Sequence, residues 1–353
     1  LNTILSRRIG RGIASVFISG LSFCFHNAVI SGTLPTPNYH IIKKIPLGGE
    51  GRWDYLTLDS SARRLYITRS TRVTVLNVDT GLVVGEIPHT VGVHGVAIAP
   101  ELNRGFISNG KTATATVFNL KTLQVIGEVK TGSNPDAIVY EPMSKKVFTF
   151  NGNSNSATVF DAKTSKVLGT IALGGKPEFA AADDLGQIFV NLEDKNEVVA
   201  INASNLQVKE HWALKPCSEP TGIAIDRQHQ RLFIGCTNQL MTVVDANTGS
   251  IKATLPIGKR TDAIAYDPVT RLAFSSNGEG SLTVVHEDSA DKFRIVNNVI
   301  TEPGARTMAL DLKTHKLYLD TAKFQVKSTP VAGQVRSRPF IIPGTFVILV
   351  LGD

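Results

Sequence analysis

A unit of about 42 residues recurs along this chain, and no other feature limits its fold as strongly. Asn119 in ATVFNLKTLQVIGEV matches Asp161 in ATVFDAKTSKVLGTI, 42 residues on. Asn202 in VVAINASNLQVKEHW follows 41 later, and Asp245 in MTVVDANTGSIKATL 43 later. VTVLNVDTGLVVGEI is the same unit one repeat upstream, and LTVVHEDSADKFRIV is a degenerate copy downstream. Within each unit, four apolar runs of strand length are separated by Gly, Asn, Asp, Ser and Thr turns, and a helical period is absent. Four strands at this period predict the blades of a β-propeller, an all-β ring around a central channel.

The count and the closure follow from aligning the units. First strands begin near Asp54, Gly95, Asp136, Glu178, Thr221, Asp262 and Thr307, which gives seven four-stranded antiparallel blades. Read forward, the seventh has only three strands, the last at 345–351. The segment 40–49, HIIKKIPLGG, aligns with the fourth-strand segment 166–175, KVLGTIALGG, yet precedes any blade of its own. Pairing it beside 345–351 completes blade seven and removes the two free edges of an open ring. The propeller is therefore expected over 39–353, after a short linker at 33–38.

The repeat resembles the YVTN-type propeller repeat of bacterial exported and archaeal surface-layer proteins. The resemblance is carried by RLYITRSTRVTVLNVDTGLVVGEIPHTVG and its later copies, across essentially all of 39–353, with blades four and seven departing most. It implies a seven-bladed fold and export. It does not imply one activity, because such propellers serve as binding, assembly or accessory modules more often than as enzymes.

The N-terminus carries its own pattern. Arg7, Arg8 and Arg11 precede a mostly apolar stretch from Ile13 to Ile30, and Val29-Ile30-Ser31 offers a cleavage site before Gly32. This predicts a signal peptide over 1–32 and a periplasmic or secreted protein. No other segment is apolar enough to span a membrane. The formal charge of +7 falls to about +4 without those three arginines, and no basic run is interleaved with aromatics. A nucleic-acid partner is not expected.

Ligand chemistry is expected where the strand-one entries meet the channel. Aligned, these entries gather Arg52, Trp53, Asp54, His94, Asp136, Lys176, Glu178, Glu219, Arg260, Asp262 and Arg306. Carboxylates drawn together raise one another's pKa and attract cations, while arginines pair with them or grip an acidic ligand. Trp53 is expected to add a flat apolar surface. One histidine among carboxylates can hold a divalent cation, but HxH and HExxH spacings are missing and no metal site is assigned. CxxCH and GxSxG motifs are absent too, so no cofactor and no nucleophile is evident. Cys217 and Cys236 flank one strand pair of blade five, and antiparallel pairing places them on one face, in reach of a disulfide.

The leading expectation is a binding or accessory module that takes a small ligand, ion or partner protein at the channel mouth. The alternatives are a lactone hydrolase or lyase with acid–base residues there, and a surface or assembly module. One irregular piece, residues 322–343, joins strands two and three of blade seven as a long basic loop on the same face, either a lid or a solvated excursion.

Overall fold

The computed structural model describes residues 37–325 and 340–353. The expected signal peptide, most of the linker and the middle of the long loop lie outside the described residues. A single compact unit spans Thr36–Asp353.

Seven four-stranded antiparallel sheets form the ring. Blade one runs through Leu56–Asp59, Arg64–Arg69, Arg72–Asn77 and Val83–Ile87 from the channel outward. Blades two to six repeat this plan over residues 93–130, 135–172, 177–213, 220–256 and 261–300. Pro100–Leu102, a single 3-10 turn, is the only helical element among the described residues. No helix there is long and apolar enough to cross a membrane.

The repeated Asn or Asp that defines the unit has a local cause. Asn77, Asn119, Asp161, Asn202 and Asp245 end the third strands, and each Oδ1 accepts the amides two and three residues on. The side chain thereby folds the turn into strand four. The turn closes on a left-handed residue, such as Gly81 at φ +75° or Gly249 at φ +72°. This explains the Thr-Gly that follows the Asp in the sequence pattern.

Blade seven is assembled from both ends of the unit. Its strands are Met308–Asp311, Lys316–Thr321, Val347–Gly352 and, outermost, His40–Pro46. His40 faces Gly352 and Pro46 faces Val347, with a register shift between Ile41 and Lys43. The strand stops at Pro46, short of residue 49, because Gly48 and Gly49 take φ +62° and +72° and swing the chain toward blade one. Arg69 of blade one secures that swing. Its guanidinium donates to the Gly48 and Glu50 carbonyls and stacks 3.8 Å above the Phe346 ring.

Core packing lies between blades, not within them. Seven apolar clusters are found, each drawing on two neighbouring blades, so seven blades share seven interfaces. An open ring would have six. The closing segment serves two of them: Tyr39 packs edge-on against Phe274 of blade six at 5.1 Å, and Ile45 joins the cluster shared with blade one.

Around the channel the inner strands approach closely. A Cβ added at Gly222 of blade five would stand 2.6 Å from the Ile264 amide nitrogen and 2.7 Å from the Asp262 carbonyl, both backbone atoms of blade six. Neither can yield without moving a strand. Gly222→Ala is expected to cost about 2 kcal/mol or more, read as a lower urea midpoint at unchanged slope.

Candidate functional site: an acidic cup at the channel mouth

The strand-one entries and the strand two–three turns lie on one face, and the aligned acids converge there. His94 of blade two sits between its neighbours, with Nδ1 2.6 Å from Asp54 Oδ2 and 3.4 Å from Asp136 Oδ1. Asp262 of blade six pairs with Arg306, 3.0 Å from Nε, and that guanidinium also stands 4.0 Å from Asp54. Lys176 of blade four lies 3.8 Å from Glu178 and pairs more closely with Glu193. Six blades thus contribute charged groups to one small volume.

Two aromatic rings meet below that volume. Tyr55 follows Asp54 into blade one and Phe179 follows Glu178 into blade four, and their rings meet edge-on at 4.5 Å. Blades one and four are three steps apart in a ring of seven, so this contact spans the channel axis. The channel mouth is a cup with an aromatic base. Burial holds the Tyr55 phenol well above its ordinary pKa, and the charges of Glu178, Asp136, Asp262 and Asp54 add to the effect. It stays protonated.

Carboxyl groups packed this way resist ionising together. Burial pushes Asp136 up to about 7, helped by Asp54 and Asp262 and opposed by His94. Asp262 rises to about 6, chiefly by burial and against Arg306. Glu178 is raised by burial and by Asp136. Behind them lies Asp320, fully buried in the second strand of blade seven, where burial pushes its carboxyl to about 8. Thr307 Oγ1 donates to its Oδ1 at 2.6 Å. The cup therefore keeps protons near neutral pH that isolated carboxyls would lose.

Not every aligned residue joins the cup. Trp53 offers no open face at the mouth. Its indole is buried at 9% exposure between Phe346 at 5.3 Å and Phe324 at 6.0 Å, because an apolar ring beside the closing loop packs where that loop is anchored. Glu219 and Arg260 are exposed on the rim and bind their own strand two–three turns, Glu219 accepting from Thr237 Oγ1 and Arg260 donating to the Gly278 carbonyl. Arg52 is exposed as well, and its amide donates to Ser70 Oγ at 2.8 Å. Cys217 and Cys236 are joined by a disulfide with a Cα separation of 5.5 Å, which ties the blade-five entry to its second strand.

Tyr55, Phe179, Glu193 and Asp320 are the cup residues that the sequence alignment passed over. The first two had a readable signal. The column behind the acids holds Tyr55, Val96, Ala137, Phe179, Gly222, Ala263 and Met308, with rings only in two blades that face each other.

Fold and cup together define a seven-bladed β-propeller with an acidic channel mouth. Among solved structures the chain is similar to hydrazine synthase of Kuenenia stuttgartiensis, with a TM-score of 0.67, 16% identity, and coverage of 83% of this chain and 95% of that one. At that identity the likeness concerns the fold. No protein-family model and no curated protein matches the sequence.

Proposed function

We propose that this chain is an exported propeller of the YVTN type that binds a small cationic ligand in the cup at its channel mouth. One observation carries the reading: carboxyls of blades one, three, four and six converge with His94 above the Tyr55–Phe179 ring pair. A cation entering there replaces retained protons and relieves the repulsion among Asp54, Asp136, Glu178 and Asp262. The Tyr55 and Phe179 rings add a surface that favours positive charge. Arg306 and Lys176, each already paired with acids, set the rim. Export is supported by the basic-then-apolar N-terminus and by the disulfide, which suits an oxidising compartment. The repeat copies quoted above support the YVTN assignment.

At pH 8, Mn2+ or putrescine is expected to raise the melting temperature by several degrees, while citrate does not. Asp54→Asn/Asp136→Asn is expected to remove most of that shift. An equal shift in the variant would place the binding elsewhere.

A second reading has its own observation. The close His94–Asp54 pair beside an acid at about 7 is the arrangement that general acid–base catalysis uses. If the chain is a lactone hydrolase or lyase, His94→Gln abolishes turnover while binding in the cup persists.

A further inference from the structure

Glu287 breaks the repeat at a position that blades one to five keep apolar. In blades one to six the residue after the third-strand cap donates its amide to the strand one–two turn of its own blade. That residue is Val78, Leu120, Ala162, Ala203 or Ala246 in blades one to five, each buried. In blade six it is Glu287, whose side chain is 0% exposed. Tyr266 Oη donates to its Oε2 at 2.5 Å, and its Oε1 has no hydrogen-bond partner among the described residues.

A second break faces it from blade five. Strand one ends at Asp226, which caps its turn by accepting the Gln228 and His229 amides. Other blades place Ala62, Ser144 or Thr270 at the third turn position. Blade five places His229 there, with Nδ1 2.7 Å from Asp226 Oδ2 and 3.1 Å from Glu287 Oε1. The Asp226 side chain is only 2% exposed, so two buried carboxylates face one imidazole. Such a pair needs a shared proton or a cation to be stable.

We propose that Asp226, His229 and Glu287 form a divalent transition-metal site that clamps blade five to blade six, on the face opposite the cup. Their ligand atoms lie within 4.8 Å of one another, the span that bonds of about 2.0–2.2 Å to one ion require. The ion takes the lone pair of Asp226 Oδ2 that now faces Nδ1, the orphan Oε1 of Glu287, and Nδ1 once it has lost its proton. One nitrogen and two oxygens suit Zn2+, Mn2+ or Co2+ better than an all-oxygen ion such as Ca2+. His229, 27% exposed, leaves a route from solvent for the ion and its remaining water ligands.

The test titrates chelator-treated full-length protein with Co2+ in an Asp54→Asn/Asp136→Asn background, which removes the cup as a competing site. One equivalent is expected to bind with visible d–d absorption, and Zn2+ is expected to displace it. Glu287→Ala restores the side chain that blades three to five carry and is expected to fold. It should weaken Co2+ at least tenfold and abolish any metal-dependent rise in melting temperature, and His229→Gln should do the same. If the background protein binds no Co2+, or Glu287→Ala binds it with unchanged affinity and spectrum, the clamp does not exist.

Discussion

Removal of the residues through Pro46 is expected to abolish the cooperative fold. The deletion takes away the partner of Val347–Gly352, a strand that reads VILVLG and is buried along nearly its whole length. It also strips Tyr39 and Ile45 from the two clusters that flank blade seven. Each large apolar side chain contributes about 1.5–3 kcal/mol when buried, and the Tyr39 hydroxyl bond to the His315 carbonyl goes with them. A whole domain rests on about 5–15 kcal/mol, so these losses approach the total. The exposed edge then recruits other chains. Size exclusion should show aggregates or strand-exchanged oligomers, and circular dichroism a broad, early transition. A monomer that melts at the full-length temperature would mean that blade seven does not need its outer strand.

The second large effect concerns pH. Asp136 holds its proton to about 7 in the folded chain, against about 3.9 when unfolded. Below pH 4 both states are protonated and the stability contribution of this group is intact. As pH climbs from 4 to 7 the unfolded chain releases a proton that the native cup retains, so stability falls. Above 7 the penalty is constant, on the order of 4 kcal/mol. Asp320 extends the decline to about 8. Asp136→Asn is therefore expected to gain stability at pH 8, to change little at pH 4, and to flatten the profile between. Urea midpoints across that range measure it. A wild-type profile that is level from 5 to 8, or an Asn variant weaker at pH 8, would contradict the crowding of acids in the cup.

The architecture was legible because it repeats. Asn77, Asn119, Asp161, Asn202 and Asp245 each fold the same turn, so the period is written in residues whose roles are local. The closing strand was legible as a fourth strand without a blade. The cup was legible in part: Asp54, Asp136, Glu178 and Asp262 fall in one column, and the ring brings that column to one point. What escaped depended on contacts across the ring. Trp53 reads as a mouth residue in alignment, but Phe346 and Phe324 cover it once the chain closes. Tyr55 and Phe179 are 124 positions apart and meet only because seven blades place them opposite each other. Glu287 and His229 show the reverse, since departures from a repeat mark residues that the fold alone does not require.

Calorimetric titration of the protein with putrescine at pH 5, 6 and 8, in buffers of differing ionisation enthalpy, tests the cup as a cation site most directly. Cation entry should release about one proton per site near pH 6, tighten roughly a hundredfold between pH 5 and 8, and vanish in Asp54→Asn/Asp136→Asn. Binding that releases no proton, ignores pH and survives in the variant would contradict the cup as the site of function.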